Sequence, residues 1–276
     1  MSLWVRTRKL IVSALSDYQM IVDKDRVMVA VSGGKDSSIL LMMLSEIAKK
    51  AEISFSVHPV ILDQKQPGFD LGAFRAWVEG DLGHTLSVID EDTYSIVKHT
   101  VSNGKSYCGL CSRLRRGILY NYAADHGYDK IALGHHRDDL NETLMLNLMF
   151  NGRISSMPPK LFSDDGRNTV IRPLCYVPES SLISLAESIA MPIIPCNLCG
   201  SQENLQRARI KSMLEGWQKD FPHIGASMLK AQQNVRPSQL ADKKLWSFQP
   251  GTIFSQKDLK NPGLEKTCAK IDIQLD

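Results

Sequence analysis

Apolar runs with strand-like alternation and apolar stripes with helical spacing take turns along most of this 276-residue chain. No other feature restricts its fold as much. Val27–Val31 reads as a strand and Ser37–Lys49 as a helix, followed by a second strand at Phe55–Leu62. Phe69–Leu82 has helical spacing, Thr85–Ile89 is a third strand, and Ser112–His126 is a helix with a basic front. Lys130–Leu133 supplies a fourth strand, and a helix from about Asp138 to Phe150 follows it. Short strands separated by helices cannot pair as hairpins, so the rhythm predicts an α/β protein: a parallel sheet with helices on both faces.

Either side of this block the pattern changes. Ile11, Leu15, Tyr18 and Val22 recur at helical spacing and predict an N-terminal amphipathic helix. The apolar stretch Leu10–Leu15 is too short for a signal peptide and Asp17 follows it, while the longest uncharged run, Ser188–Gln202, holds two prolines and does not span a membrane. After Phe150 the stretch NGRISSMPPKLFSDDGRNTV is rich in turn formers, Val170–Pro173 reads as one more strand, and a helix starts at Pro178-Glu179-Ser180 and runs to about Ala190. Glu203 to about Asn234 reads as helical with a break near Pro222, and the tail from Pro250 is expected to be poorly ordered or draped on the surface. The expected division is residues 1–200 as the α/β unit, 201–245 as a helical region packed on it, and 246–276 as a tail. With 23% charged residues and a formal charge of +3, the chain admits a nucleic-acid partner without requiring one. It is expected to be cytoplasmic, where six cysteines are metal ligands or catalysts rather than disulfides.

The stretch VMVAVSGGKDSSILL at residues 27–41 joins the first strand to its helix. Gly33 and Gly34 let the backbone approach an oxyanion, the free amides of the helix start point toward it, and Lys35 adds a positive charge. Ser32, Ser37 and Ser38 add hydroxyl donors. A Gly-Gly turn alone would be only a turn; with Ser, Lys, Asp and Ser around it, the loop is an anion site. The Walker A spacing is not met, because Asp36 follows the lysine and no glycine stands five residues before Gly34. The fourth strand delivers Gly134-His135-His136-Arg137-Asp138-Asp139, with Glu142 one turn later. Carboxylates at a helix start are favourable through the dipole by roughly 0.3–1 kcal/mol, so capping alone accounts for one of them. This stretch also follows the carboxyl end of a parallel strand, where open α/β sheets bind ligands.

Cys108-Gly-Leu-Cys111 and Cys196-Asn-Leu-Cys199 are two C-x-x-C pairs, and two pairs point to a metal centre, with zinc leading on spacing alone. Cys175 and Cys268 have no such neighbours. Arg113, Arg115 and Arg116 follow Cys111 directly, and their field both lowers thiol pKa values and attracts nucleic-acid phosphates. The plain alternative for these arginines is a solvated helix face.

Ser32-Gly33-Gly34-Lys35-Asp36-Ser37 resembles the pyrophosphate-binding loop of the PP-loop ATP pyrophosphatases, of the adenine nucleotide alpha hydrolase-like fold. The Gly134–Asp139 stretch with Glu142-Thr143 is similar to the G-H-x-x-D-D-x-x-E-T signature of the members that modify tRNA. CGLCSRLRRGILY, IALGHHRDD, MPPKL, SDDG, IRPL and PIIPCNLCGSQENLQR together resemble the tRNA 2-thiocytidine synthetases over roughly residues 20–240. The resemblance implies binding of ATP at Ser32, Gly33, Gly34, Lys35, Asp36, Ser37, Gly134 and His135, with Mg²⁺. It implies catalytic roles for Lys35, Asp36, Asp138 and Asp139, and cleavage of ATP to AMP and pyrophosphate. It further implies a [4Fe-4S] cluster on Cys108, Cys111 and Cys199, with Cys196 a bystander, and tRNA contacts at Arg113, Arg115 and Arg116. The implied reaction adenylates the C2 oxygen of cytidine 32 in the anticodon loop and then transfers sulfur. The implied partners are tRNA and a cysteine desulfurase or other sulfur donor; a homodimer is left open. Three readings compete: a lysidine synthase, to which metal cysteines are foreign; a 2-thiouridine synthetase; and a non-catalytic metal-thiolate RNA-binding or redox-sensing module.

Overall fold

The computed structural model describes residues 1–100, 107–189, 191–194 and 202–248, with side chains for 1–98, 110–189, 191–194 and 206–248. One sheet is formed by β1 (Arg26–Val31), β2 (Ser56–Asp63), β3 (Ser87–Asp90), β4 (Lys130–Ala132), β5 (Lys160–Phe162) and β6 (Thr169–Ile171). Their order is β3-β2-β1-β4-β6-β5, parallel throughout except for β5, which runs antiparallel to β6 with Lys160 opposite Ile171. The helices are α1 (Leu3–Asp17), α2 (Lys35–Lys50), α3 (Gly72–Ala76), α4 (Thr93–Thr100), α5 (Tyr107–Asp125), α6 (Arg137–Phe150), α7 (Glu179–Ile189), α8 (Gln202–Asp220) and α9 (Ile224–Gln232). Among the described residues no helix is long and apolar enough to cross a membrane.

The period-two geometry of a strand explains how β1 organises two cores. Val27, Val29 and Val31 pack with Ile39, Met43 and Leu44 of α2, Ile11 and Leu15 of α1, and Leu182 and Leu185 of α7. Met28 and Ala30 face the other way, onto Leu119 and Ala123 of α5. Val27, Met28 and Val29 are fully buried, and each such side chain contributes on the order of 1.5–3 kcal/mol. The apolar run of β1 is therefore that of a central strand covered on both faces.

From β1 the chain winds outward through β2 to β3, then returns to place β4 on the other side of β1. At this reversal the connections leaving the carboxyl ends of the neighbouring strands β1 and β4 lie side by side and border a crevice. The phosphate loop and the Gly134–Asp139 stretch are the two connections that border it.

Several elements differ from the expectation. The first helix stops at Asp17, not near Val22; Gln19 takes φ +45 and the Asp25 carboxylate accepts the Val22 amide at 2.7 Å, turning the chain toward β1. The segment 69–82 is α3 followed by a π-helical turn, Trp77–Asp81, closed by Leu82 N donating to Trp77 O at 3.2 Å. α5 begins at Tyr107, so its first turns contain Cys108 and Cys111. The last parallel strand ends at Ile171, because Pro173 opens a 3-10 turn over Pro173–Tyr176. Two elements were not anticipated: α4, and the edge strand β5 inside the turn-rich stretch. The break at Pro222 is present, between α8 and α9. The tail from Pro250 lies outside the described residues.

Candidate active site

The loop after β1 is tied by its own serines. Ser37 Oγ accepts the Ser32 amide at 3.1 Å and donates to Gly34 O at 3.1 Å, and Ser38 Oγ donates to the same carbonyl at 3.0 Å. Gly33 sits at φ +76, and a Cβ there would lie 2.6 Å from Ile194 Cβ, so the position demands glycine on two counts. Gly33 O also accepts the Ile194 amide at 2.9 Å. Gly34 opens α2 without a side-chain cap, which leaves the first-turn amides to an outside acceptor.

The second stretch closes directly on this loop. A Cβ on Gly134 would lie 3.0 Å from Ser37 N and 3.1 Å from Ser37 Cα, so only glycine lets the β4 connection pass the start of α2. His136 caps α6: its Nδ1 accepts the Asp139 amide at 3.4 Å, while Asp139 Oδ2 accepts the His136 amide at 3.0 Å. Asp138 turns to the next helix, accepting the Glu179 amide at 2.6 Å and Arg137 at 2.9 Å. Asp138 and Asp139 thus hold the starts of α7 and α6 at the crevice.

A chain of charges then crosses the site. Lys35 Nζ lies 3.1 Å from Asp36 Oδ2 and 3.3 Å from Glu179 Oε1, and Lys211 Nζ lies 2.7 Å from Glu179 Oε2. Arg207 donates to Glu142 at 2.9 Å and to Asp139 at 3.0 Å. Burial pushes the Glu142 carboxyl up against the pull of Arg207. Burial also acts to raise Glu179, but the Lys211 hydrogen bond and the charges of His136, Lys211 and Lys35 outweigh it and hold that carboxyl below its ordinary value. His136, Asp139, Glu142, Glu179, Arg207 and Lys211 enclose a cavity of about 290 Å³.

His135 faces Arg172, whose Nε donates to its Nδ1 at 3.3 Å. Burial, then the Arg172 charge, push the imidazole down to about 4, so it is neutral with its proton on Nε2. Burial lowers Arg172 itself, and the Arg116 guanidinium of α5 adds to this. Arg113 and Arg116 are exposed and Arg115 half-buried. Cys111 is half-buried, its thiol 3.4 Å from Oε1 of Gln64, which directly follows β2 at the carboxyl edge of the sheet. The side chain of Cys108 and the whole of Cys196 and Cys199 lie outside the described residues. Cys175 is fully buried, and burial pushes its thiol up to about 12, which leaves it inert.

Ser32 to Ser37, Gly134, His135, Asp138 and Asp139 are therefore brought together, while Cys111 and the arginines stand on α5 along the same edge. Sequence reasoning missed Glu179, Lys211, Arg207 and Arg172 as site residues. Arg207 ends the stretch PIIPCNLCGSQENLQR and Arg172 lies in IRPL, so a signal existed for those two. Glu179 read only as a helix start, and Lys211 carried no signal.

Asp36 Oδ1 is buried with no hydrogen-bond partner among the described residues. An orphaned carboxylate oxygen beside a phosphate loop fits a divalent cation ligand. For a cluster, the Cys111 thiol is a fitting donor, half-buried and in reach of Gln64 at the carboxyl edge of the sheet. A Gly-Gly loop ending the central strand, closed by a second helix start where the winding reverses, defines a PP-loop protein of the adenine nucleotide alpha hydrolase-like fold.

The comparisons with known proteins narrow this class. The tRNA-cytidine(32) 2-sulfurtransferase of Bdellovibrio bacteriovorus is 53% identical over 244 residues, 88% of this chain and 93% of that protein. The one of Marinobacter nauticus is 53% identical over 252 residues, 91% of this chain and 83% of that protein. The chain belongs to the tRNA-cytidine(32) 2-sulfurtransferase family. Among solved structures, the U34-tRNA thiolase NcsA of Methanococcus maripaludis, described with its [4Fe-4S] cluster, shares the fold with a TM-score of 0.65 at 20% identity, over 83% of this chain and 76% of that one. No protein-family model matches the chain.

Proposed function

We propose that this chain is a cytoplasmic enzyme that converts cytidine 32 of tRNA to 2-thiocytidine, using ATP to activate the C2 oxygen. The observation that carries the reading, beside family membership, is the contact of Gly134 with the start of α2, which joins the phosphate loop and the acidic helix start into one crevice. The first-turn amides of α2 and Lys35 hold the β- and γ-phosphates, and Asp36 offers its free oxygen to Mg²⁺. The cytosine O2 attacks the α-phosphorus, the bond to the β-phosphate oxygen breaks, and pyrophosphate leaves. A sulfide-level sulfur then attacks C2, the C2–O bond breaks and AMP departs. Its ultimate source is a cysteine desulfurase or another donor.

Asp138 and Asp139 position the helix starts around the reacting groups, and neutral His135 offers an Nε2–H donor without adding a charge. Cys108, Cys111 and Cys199 would hold a [4Fe-4S] cluster, which supplies an open iron to carry the sulfur. Cys111 supports this by its place at the crevice edge, and Ile194, bonded to Gly33, precedes Cys199 by five residues in the chain. Arg113 and Arg116, exposed beside it, suit the anticodon-loop phosphates. The target base leaves its stack at a cost of a few kcal/mol.

The test is turnover on unmodified tRNA with labelled ATP and nucleoside mass spectrometry. AMP and pyrophosphate are expected with 2-thiocytidine, and Lys35→Ala and Asp36→Ala are expected to fold, keep any cluster and lose turnover. Production of ADP, or of lysidine or 2-thiouridine, would refute the reading.

A further inference from the structure

Glu179 has no part in that reaction, yet it stands at its centre. Oε1 lies 3.3 Å from Lys35 Nζ in the phosphate loop, and Oε2 lies 2.7 Å from Lys211 Nζ on α8. His136 Nε2 is 4.0 Å from Oε1, and the Glu179 side chain is 18% exposed. Its amide is fixed by Asp138 at 2.6 Å, so the carboxylate is presented from an anchored helix start. One anion is thus divided between two ammonium groups that come from distant parts of the chain. It opens onto the cavity of about 290 Å³, where Arg207, the other arginine or lysine of the described lining besides Lys211, is committed to Glu142 and Asp139. A carboxylate held this way marks where an anion sits between the loop and α8.

We infer that Glu179 is an internal counter-ion that competes with pyrophosphate for Lys35 and Lys211, and that Lys211 is the α8 half of the pyrophosphate site. The inference rests on the reading of the loop as an ATP site. Pyrophosphate carries more charge than a carboxylate and has more acceptor oxygens, so it displaces Glu179 when ATP arrives. Once the bond to the α-phosphate breaks, pyrophosphate is a product that two lysines would retain. Glu179 closing on both ammonium groups offsets the cost of uncovering them and speeds release. The ion pairs hold its carboxyl below the ordinary range, so it is an anion at neutral pH and able to compete.

The test is calorimetric binding of inorganic pyrophosphate to the full-length protein, without tRNA, in wild type, Glu179→Gln, Lys211→Ala, Lys35→Ala and the double variant Lys35→Ala/Glu179→Gln. Gln keeps the volume and the backbone bond to Asp138, and melting temperatures verify that each variant folds. Glu179→Gln is expected to bind about tenfold more tightly or better, and Lys211→Ala about tenfold more weakly. The gain from Glu179→Gln is expected to shrink in the Lys35→Ala background, because the two groups are coupled. In turnover, Glu179→Gln is expected to show stronger product inhibition by pyrophosphate. A merely structural Glu179 would give equal or weaker binding in Glu179→Gln, and that result overturns the counter-ion while wild-type turnover stands. A wild type that forms no AMP and binds no pyrophosphate overturns the ATP reading, and this inference with it.

Discussion

Arg172 reaches from the end of β6 to donate to His135, and the imidazole, already desolvated, is pushed down to about 4 from an ordinary 6.5. Between those two values the unfolded chain binds a proton that the folded chain refuses. The stability tied to this neutral ring is therefore present above pH 6.5 and is lost as the pH falls toward 4. The expected outcome is a fall in the urea midpoint between about pH 7.5 and about pH 5 that is larger in wild type than in His135→Gln. Equal falls in the two proteins would remove His135 from the balance. At this scale the sequence was an uneven guide. Lys35 and Asp36 stood out because a cation and an anion beside two glycines have few structural uses. Glu179 did not, since glutamate after proline at a helix start is ordinary capping chemistry, and its partners lie 144 and 32 positions away. Partnership across such distances leaves no local trace.

The β1–α2 and β4–α6 connections meet through backbone, not through long side chains, and this makes Gly134 the point where the two elements depend on each other. Its would-be Cβ meets Ser37 N and Ser37 Cα at 3.0 and 3.1 Å, and backbone cannot rotate out of the way. Gly134→Ala is expected to cost about 1–3 kcal/mol in urea unfolding and to weaken ATP binding by displacing the loop. Gly117, inside α5, is the control: among the described residues, nothing beyond its own helix backbone and chain neighbours lies within 4 Å of its would-be Cβ. Gly117→Ala is expected to stabilise by up to about 1 kcal/mol through helix propensity. Loss of ATP affinity in Gly117→Ala but not in Gly134→Ala would reverse the assignment. The long, periodic elements were legible, as β1 and α6 show. β5 was not: it has three residues, two of them exposed, so neither length nor alternation set it apart from the turns around it. The start of α5 was misplaced because Cys and Gly give a weak helical signal, although the helix runs through both.

Across the whole molecule, the reversal of winding brings the phosphate loop, the acidic helix start and Cys111 to a single edge of the sheet. The proposed ligand set gives that edge an asymmetric test. A zinc site closed by two C-x-x-C pairs needs all four thiolates, whereas a cluster with an open iron needs three. Cys196→Ser is expected to keep the visible absorbance of anaerobically purified protein and its tRNA thiolation, and Cys199→Ser to lose both. Equal damage from the two, with a colourless zinc-loaded parent, would overturn the cluster. The parallel sheet with helices on both faces was readable from the strand–helix rhythm alone. The placement of β4 beside β1 was not, because rhythm fixes which segments are strands and leaves their neighbours to packing.

That placement sets a timetable for the chain as it leaves the ribosome. After α1, the chain delivers β1, the phosphate loop and β2, and one edge of β1 stays unpaired until Lys130–Ala132 has been made. Gly134 reaches the start of α2 soon after, Glu179 later, and Lys211 last of all. A nascent or truncated chain that ends before α8 carries the loop lysine without the second lysine or the arginine that complete its surroundings. On the proposed assignment of Lys211, a chain that stops before α8 holds only the loop half of the pyrophosphate site and binds pyrophosphate more weakly than the whole chain.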